Sequence, residues 1–344
     1  MNDSNWSIPE PSITPEPRAG AQANNIVPAD PDAIARAAVL LRAGEVVGLP
    51  TETVYGLAGD ALNPVALARI FEVKQRPLYD PLILHFADAE GAFAVATEVP
   101  KAARLLAGRF WPGPLTLVLP KTDVVPDLAT SGLPKVAVRV PGHPVAQALL
   151  RGFGGPLAAP SANRFGRISP TDAAAVRAEL GEAVPLILDG GPCAVGVEST
   201  VLEVTGDRIT LLRAGGISAE EIAAIAGPVS RAAPVLDKPL APGQLAHHYA
   251  PRKPLRRIGS VAEIPPGVRA GVLAFGSDLG PVAETVTENL SMHGDLREAA
   301  ANFFRALRTL DDDSRVEIIY ALPVPAHGLG LAINERLERA SAPR

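Results

Sequence analysis

Short apolar runs alternate with amphipathic stretches along most of this chain. Residues 46–49, 82–86, 115–119, 136–140, 186–189, 201–204 and 209–212 are mostly apolar and bounded by Gly, Pro or charged positions, the pattern of buried strands. Ile34, Ala38 and Leu41, then Leu67, Ile70 and Phe71, recur at helical spacing. They predict a helix capped by Asp30 or Asp32 and ended by Gly44, and a second over 64–73. Further helices are expected over 99–110, 145–150 and 171–180, the last capped by Ser169 or Thr171. Residues 157–160 are a short apolar segment. This alternation predicts an α/β domain with a mixed sheet that ends near residue 215.

The pattern then breaks and restarts. Residues 219–227 read as a short helix, and 228–254 hold Pro228, Pro234, Pro239, Pro242, Pro251 and Pro254. A segment this long and irregular is the mark of a linker, lid or binding loop. Beyond it, strands over 271–275 and 316–321 alternate with helices over 296–310 and 329–339, a small α/β domain. The first 28 residues hold Pro9, Pro11, Pro15, Pro17 and Pro28 among polar residues and are expected to be a flexible arm. The organisation expected is therefore an arm over 1–28, a catalytic domain over 29–218, a linker or lid over 219–254 and a C-terminal domain over 255–344.

Composition narrows this further. At 344 residues with 31 Gly and 35 Pro, the chain is rich in loops, and the absence of a Gly-X-Y period excludes collagen. The single cysteine, Cys193, excludes an internal disulfide framework and a cysteine-based zinc site. No run of 18 apolar residues and no apolar N-terminal h-region occurs, so neither a membrane span nor a secretory signal is expected, and the cytoplasm is the default. A net charge of −5 gives no bulk attraction to nucleic acid. Of the 32 cations 26 are arginine, so each lysine draws attention.

The densest polar cluster is Pro50-Thr51-Glu52-Thr53-Val54-Tyr55-Gly56-Leu57, followed by Lys74-Gln75-Arg76-Pro77 and Asp80-Pro81-Leu82-Ile83-Leu84-His85. Hydroxyls directly after a short strand stand where α/β proteins bind ligands. Lys74 and Arg76, two apart past a helix, point the same way if extended and suit a polyanion such as a triphosphate; a solvated helix end is the other reading. His85 ends an apolar strand, either as a structural residue or as a neutral imidazole orienting a small substrate. Ser161 and Asn163 are also two apart, in a polar stretch running to Thr171. Arg139 and Arg213 end strands and fit cations facing a cleft. Ser199 and Thr200 offer hydrogen bonds after Gly196-Val197-Glu198. No Walker A pattern and no Gly-x-Gly-x-x-Gly after a strand is present, so a nucleotide binds by another route. The adjacent His247 and His248 lack further ligands for a metal, and a loop covering a ligand fits them better.

Together these segments resemble the Sua5/YrdC/YwlC family of threonylcarbamoyl-AMP synthases in its longer two-domain form. The resemblance rests on PTETVYGLAGDA (50–61), KQRPLYDPLILH (74–85), WPGPLTLVL (111–119), VAVRVPGHP (136–144), APSANRFGRISPT (159–171), GVESTVLEV (196–204), LLRAGGIS (211–218) and APGQLAHHYAP (241–251). It implies a YrdC-like open, twisted mixed sheet with helices around a concave cleft, plus a small Rossmann-like C-terminal domain. It also implies condensation of L-threonine, bicarbonate and ATP, with Mg²⁺, to threonylcarbamoyl-AMP and pyrophosphate. The product would pass to a tRNA threonylcarbamoyl transferase complex that modifies adenosine 37, so stable tRNA binding by this chain is not expected.

By resemblance, Lys74 and Arg76 are the catalytic, phosphate-holding pair. Asp80, Ser161, Asn163, Thr171, Arg213 and Tyr249 join them at ATP, with Tyr249 closing over the nucleotide. Thr53, His85, Arg139, Ser161 and Ser199 line the threonine site, Arg139 as the carboxylate partner. Two departures stand out: Asp80 occupies a place where family members usually have Asn, and Gly215-Gly216 one where Pro-Gly is common. Three alternatives compete. A double-stranded RNA-binding protein on the same concave fold conflicts with the −5 charge. A carbamoyl-adenylate enzyme of the hydrogenase-maturation type would carry zinc-finger modules, against a single cysteine. An inactive assembly factor would not need Lys74, Arg76, Ser161 and Asn163 intact.

Overall fold

The computed structural model describes residues 25–232, 248–277 and 285–342. The first helix, Pro31–Arg42, begins where the Asp30 side chain accepts the Ala33 N–H at 2.7 Å and Pro31 fills the first helical position. Its Ala33, Ala37 and Leu41, spaced by four, pack with Leu149 and Leu150 of the helix Pro144–Phe153 and with Val47 and Leu49. The helix Ala173–Leu180 is capped by Asp172, which accepts the Ala175 N–H at 2.7 Å, and not by Ser169 or Thr171. Both of those residues are buried.

One mixed sheet of eleven strands forms the frame. Its spatial order is Ile26–Pro28, Ile187–Asp189, Val47–Leu49, Gly56–Asp60, Leu157–Ala158, Ile83–His85, Lys135–Arg139, Leu115–Pro120, Thr200–Thr205, Arg208–Arg213 and Val229–Arg231. The strand Ile26–Pro28 runs parallel to Ile187–Asp189, so the last residues of the expected N-terminal arm belong to the sheet edge.

Alternation along the strands sorts the two faces. Leu84, Val136, Val138, Leu117 and Leu202 enter the main apolar core, whereas Ile83, Ala137, Val118 and Val201 form a small cluster on the opposite face. His85, Arg139 and Thr116 share that opposite face by the same period of two. The register aligns them in one row, since His85 pairs with Arg139 and Thr116 with Arg139. The sheet thus presents three polar side chains side by side on a half-apolar floor.

The C-terminal domain is a four-stranded, all-parallel sheet in the order Leu255–Arg257, Ile318–Ala321, Ala270–Ala274, Val286–Asn289. Its long helix, Leu296–Asp312, buries Ala299, Ala300, Phe303, Phe304, Leu307 and Leu310 at helical spacing. That stripe joins the main core of the first domain in a single apolar cluster that includes Ile217, Ile222 and Tyr249. No helix among the described residues is long and apolar enough to cross a membrane.

Gly196 lets the two domains meet. Its φ is +73°, and a Cβ there would lie 2.3 Å from the Ala300 carbonyl oxygen and 2.4 Å from the Ala301 Cα. Both the backbone conformation and the space are closed to a side chain. Gly196→Ala should therefore destabilise the chain by about 2 kcal/mol or more, read as a fall in the thermal midpoint. An unchanged midpoint would show that this contact is loose.

Candidate active site

Two residues of the polar row, His85 and Arg139, lie in a cleft lined also by Thr53, Arg76, Ser161, Ser199, Arg213 and Tyr249, with Val54, Ile83, Ala159 and Pro160 as apolar wall. Eight residues singled out from the sequence thus converge, from segments spread over nearly 200 positions. Four others stand behind the wall instead of facing the cleft: Lys74, Asp80, Asn163 and Thr171.

Lys74 ends the helix Pro64–Lys74, and Gln75 follows in a left-handed conformation. The segment is therefore not extended, and Lys74 and Arg76 part. Lys74 is buried and its ammonium donates to the carbonyls of Ser161 and of Asn163, the latter at 2.6 Å. Burial, then the neighbouring Arg76 charge, lower its pKa well below the ordinary lysine value. Arg76 turns inward and donates to the Asp80 carbonyl at 3.1 Å and the Pro81 carbonyl at 2.8 Å. Its Nη2 stands 2.9 Å from the Asp80 carboxylate. Asp80 thus meets a guanidinium within its own loop, which reconciles an acid with a site for phosphates.

Arg139 is held in three directions. It donates to the Gly113 carbonyl at 3.2 Å, the Thr53 hydroxyl at 3.0 Å and the Glu52 carboxylate at 2.6 Å. Burial raises the Glu52 pKa, but the Arg139 charge and hydrogen bond outweigh it and hold the carboxyl below its ordinary range. His85, buried with Nδ1 3.2 Å from the Ile83 carbonyl, has its pKa lowered to about 3, chiefly by burial and then by Arg139. The imidazole is neutral at physiological pH. Thr116 and Ser199 share a hydroxyl contact at 2.8 Å, and Arg213 donates to the Ser199 carbonyl at 2.9 Å and hydroxyl at 3.1 Å.

At the far side, Tyr249 sits at φ +66° with its ring 4.1 Å from that of His248 and 5.6 Å from Phe304. The neighbouring Ala250 N–H donates to the Gly166 carbonyl at 2.8 Å, which docks this end of the expected lid on the first domain. Residues 241–247 of the APGQLAHHYAP segment, His247 among them, lie outside the described residues. Thr171 is buried and its carbonyl accepts the Cys193 N–H at 2.9 Å. Asn163 donates to the carbonyls of Arg164 and Arg167 at 2.8 and 2.9 Å. Its Oδ1, with His248 Nδ1, Tyr249 Oη and Glu52 Oε2, is buried without a hydrogen-bond partner among the described residues. Such atoms concentrate where a ligand supplies the missing bonds.

Three participants escaped sequence reasoning. Glu52 and Glu198 stand beside the residues singled out, in the same motifs, and only their pairing with arginines shows their part. Arg336, from the helix Gly330–Ala340, reaches Glu198 across the domain boundary at 2.7 Å. Nothing in its local sequence marks it. Among the described residues, no group of three or more His, Cys, Asp or Glu is placed to hold a metal ion.

The Sua5/YciO/YrdC family model, described as "Telomere recombination", matches residues 39–215, and that of the "Threonylcarbamoyl-AMP synthase, C-terminal domain" matches 217–342. This chain belongs to the Sua5/YrdC family, in its two-domain form. It is 43% identical to a threonylcarbamoyl-AMP synthase of Bacillus subtilis over 90% of this chain and 93% of that one. It is 42% identical to a Pyrococcus abyssi protein of the same name, over 90% of this chain and 94% of that one. The crystal structure of P. abyssi Sua5 complexed with L-threonine superposes with a TM-score of 0.84 at 41% identity, covering 90% of this chain and 94% of that one. The Sua5/YrdC sheet and C-terminal α/β domain expected from the sequence are thus both present.

The buried groups dictate the acid response. An unfolded histidine takes up a proton near pH 6.5, whereas folded His85 does so only at about 3. The unfolded state then binds more protons in this window, and stability falls as pH drops through it. Glu198 acts in the same direction between the ordinary glutamate value of 4.5 and its folded value of about 2. Burial raises its pKa but the Arg336 and Arg213 charges overcome it. Denaturant midpoints should fall steadily from about pH 6.5 downward. The His85 ring resonances should show no inflection above about pH 5, and one near 6.5 would contradict the buried neutral imidazole.

Proposed function

We propose that this chain is a threonylcarbamoyl-AMP synthase, condensing L-threonine, bicarbonate and ATP into threonylcarbamoyl-AMP and pyrophosphate for the modification of adenosine 37 in tRNA. The observation that carries the reading is one cleft in which a neutral histidine and a carboxylate-seeking arginine adjoin two further buried arginines. The first pair suits an amino acid and the second a polyphosphate. The cleft belongs to a chain that aligns over nearly its full length with a threonine-bound relative.

Chemically, the threonine amine attacks the carbon of bicarbonate and one oxygen leaves as water, giving a carbamate. A carbamate oxygen then attacks the α-phosphorus of ATP, and pyrophosphate departs with the electron pair of the broken P–O bond. Negative charge grows on the phosphoryl oxygens and leaving group, so the chain's task is placement and electrostatic stabilisation. No nucleophilic side chain is needed.

In this reading Arg139 takes the threonine carboxylate, its guanidinium fixed by Glu52 and Thr53. His85, Ser161 and Ser199 bound the rest of the amino acid, and a neutral His85 adds no cation beside Arg139. Arg76 and Arg213 face the phosphates. Lys74 acts from behind, fixing the 161–163 backbone through two carbonyls. Asp80 orients Arg76. Tyr249 Oη, at the cleft and without a hydrogen-bond partner among the described residues, is an open hydrogen-bonding atom for the nucleotide, while Asn163 and Thr171 support the wall from behind. Mg²⁺ belongs to the substrate here, riding on the ATP phosphates and screening their charge. The product passes to a tRNA threonylcarbamoyl transferase complex in the cytoplasm, so the chain needs no basic surface for tRNA.

Pyrophosphate release from the purified protein should require ATP, bicarbonate and L-threonine together. Robust release without threonine would overturn the sequence of steps. Arg139→Gln should raise KM for threonine by on the order of a hundredfold, the loss of a buried charge-assisted pair, while KM for ATP moves far less. Equal shifts in both constants would remove Arg139 from the threonine site.

A further inference from the structure

Among the described residues, Glu198 is the one carboxylate lining the cleft. Both of its oxygens are engaged: Oε1 accepts the Ser169 hydroxyl at 2.6 Å, and Oε2 accepts Nε of Arg336 at 2.7 Å. Arg336 is fully buried although it belongs to the last helix of the C-terminal domain. It also donates to the Ala214 carbonyl, directly after Arg213, at 2.9 Å, and its guanidinium carbon stands 5.4 Å from the centre of the Tyr249 ring. One side chain of the second domain therefore touches the loop carrying Ser199, the strand end carrying Arg213 and the aromatic residue at the far side of the cleft.

We propose that Arg336 is a positioning residue through which the C-terminal domain sets ATP affinity, as the counter-charge that stops Glu198 from repelling the polyphosphate. The inference rests on the reaction assigned above. A buried carboxylate beside a site for an anion of several negative charges is tolerable only if a fixed cation cancels it. Ser169 supplies a dipole, not a charge. Arg213 also adds positive charge near Glu198, but it lines the cleft and its guanidinium is bonded to Ser199. Arg336, with no exposed surface, is committed to Glu198. Burial disfavours the charge, but the Arg336 and Arg213 guanidiniums hold Glu198 ionised, with a pKa of about 2, so it carries its charge throughout the neutral range.

The test is made on the full chain, with ATP affinity measured directly by calorimetry and KM values taken for ATP and threonine. Arg336→Met should weaken ATP binding on the order of tenfold and threonine binding by less than about threefold. The double variant Arg336→Met with Glu198→Gln removes both charges and should return ATP affinity to within about threefold of the parent. Arg336→Lys should fall between parent and Arg336→Met. A merely structural role would lower the thermal midpoint, move both substrates alike and show no recovery in the double variant.

Unchanged ATP affinity in a folded Arg336→Met overturns the proposal, as does a double variant as weak as the single one. Should Arg336→Met fail to fold, the double variant, which leaves no uncompensated charge, carries the test alone: a tenfold loss of ATP affinity in it refutes the counter-charge. A parent chain that binds ATP but releases no pyrophosphate would sink the assigned reaction while the affinity comparison still decides this inference. A parent chain that does not bind ATP would overturn both.

Discussion

A buried guanidinium is costly unless every direction in which it points meets an acceptor, and this cleft buries Arg76, Arg139, Arg213 and Arg336 around one small space. Much of the local architecture is a response to that requirement. Asp80, Glu52 and Glu198 each meet one of the arginines, and the carbonyls of Pro81, Gly113, Ser199 and Ala214 take further donors, although Nη2 of Arg336 has no partner among the described residues. Held this way, the cations cannot swing out to solvent or collapse onto one another. Arg76, Arg139 and Arg213, which line the cleft, confront an incoming anion already oriented, so little reorganisation remains for the moment of reaction.

The sheet supplies the other half of the arrangement. Alternation along three neighbouring strands puts His85, Arg139 and Thr116 on the face away from the main core, and the register lines them up. An apolar floor of Ile83, Ala137, Val118 and Val201 surrounds them. That floor lowers the local dielectric, which strengthens the Glu52–Arg139 contact and keeps His85 unprotonated. Fold, burial and protonation state are here one linked consequence of strand periodicity.

Most regular elements were legible because long periodic helices and apolar strands announce themselves. The strand Gly56–Asp60 was not, because its Gly-Leu-Ala-Gly-Asp composition lacks the β-branched residues that mark strands. Ile26–Pro28 was hidden by its proline-rich surroundings and becomes a strand only by pairing with an edge distant in sequence. At the site, motif residues reliably indicated the neighbourhood but not the direction of each side chain. The two-residue spacing of Lys74 and Arg76 suggested a common face. The left-handed turn at Gln75 separates them, so that one lines the cleft and the other braces a loop. Acids such as Glu52 and Glu198 looked like bystanders, since pairing is a property of three dimensions. Arg336, more than a hundred residues from its partner, carried no local signal at all.

The contact at Gly196 and the apolar cluster that crosses it bear on how the chain holds together as a thermodynamic unit. Two motif-defined modules, each with its own sheet, would ordinarily melt in separate steps if joined by a thin polar interface. Here Phe303 and Phe304 share one continuous core with Ile217 and Ile222, and backbone meets backbone at Gly196. Neither module can open without exposing the apolar face of the other. The boundary visible in the sequence is therefore not a boundary of cooperativity, and loosening of the C-terminal helix is felt at the cleft as directly as a change within it.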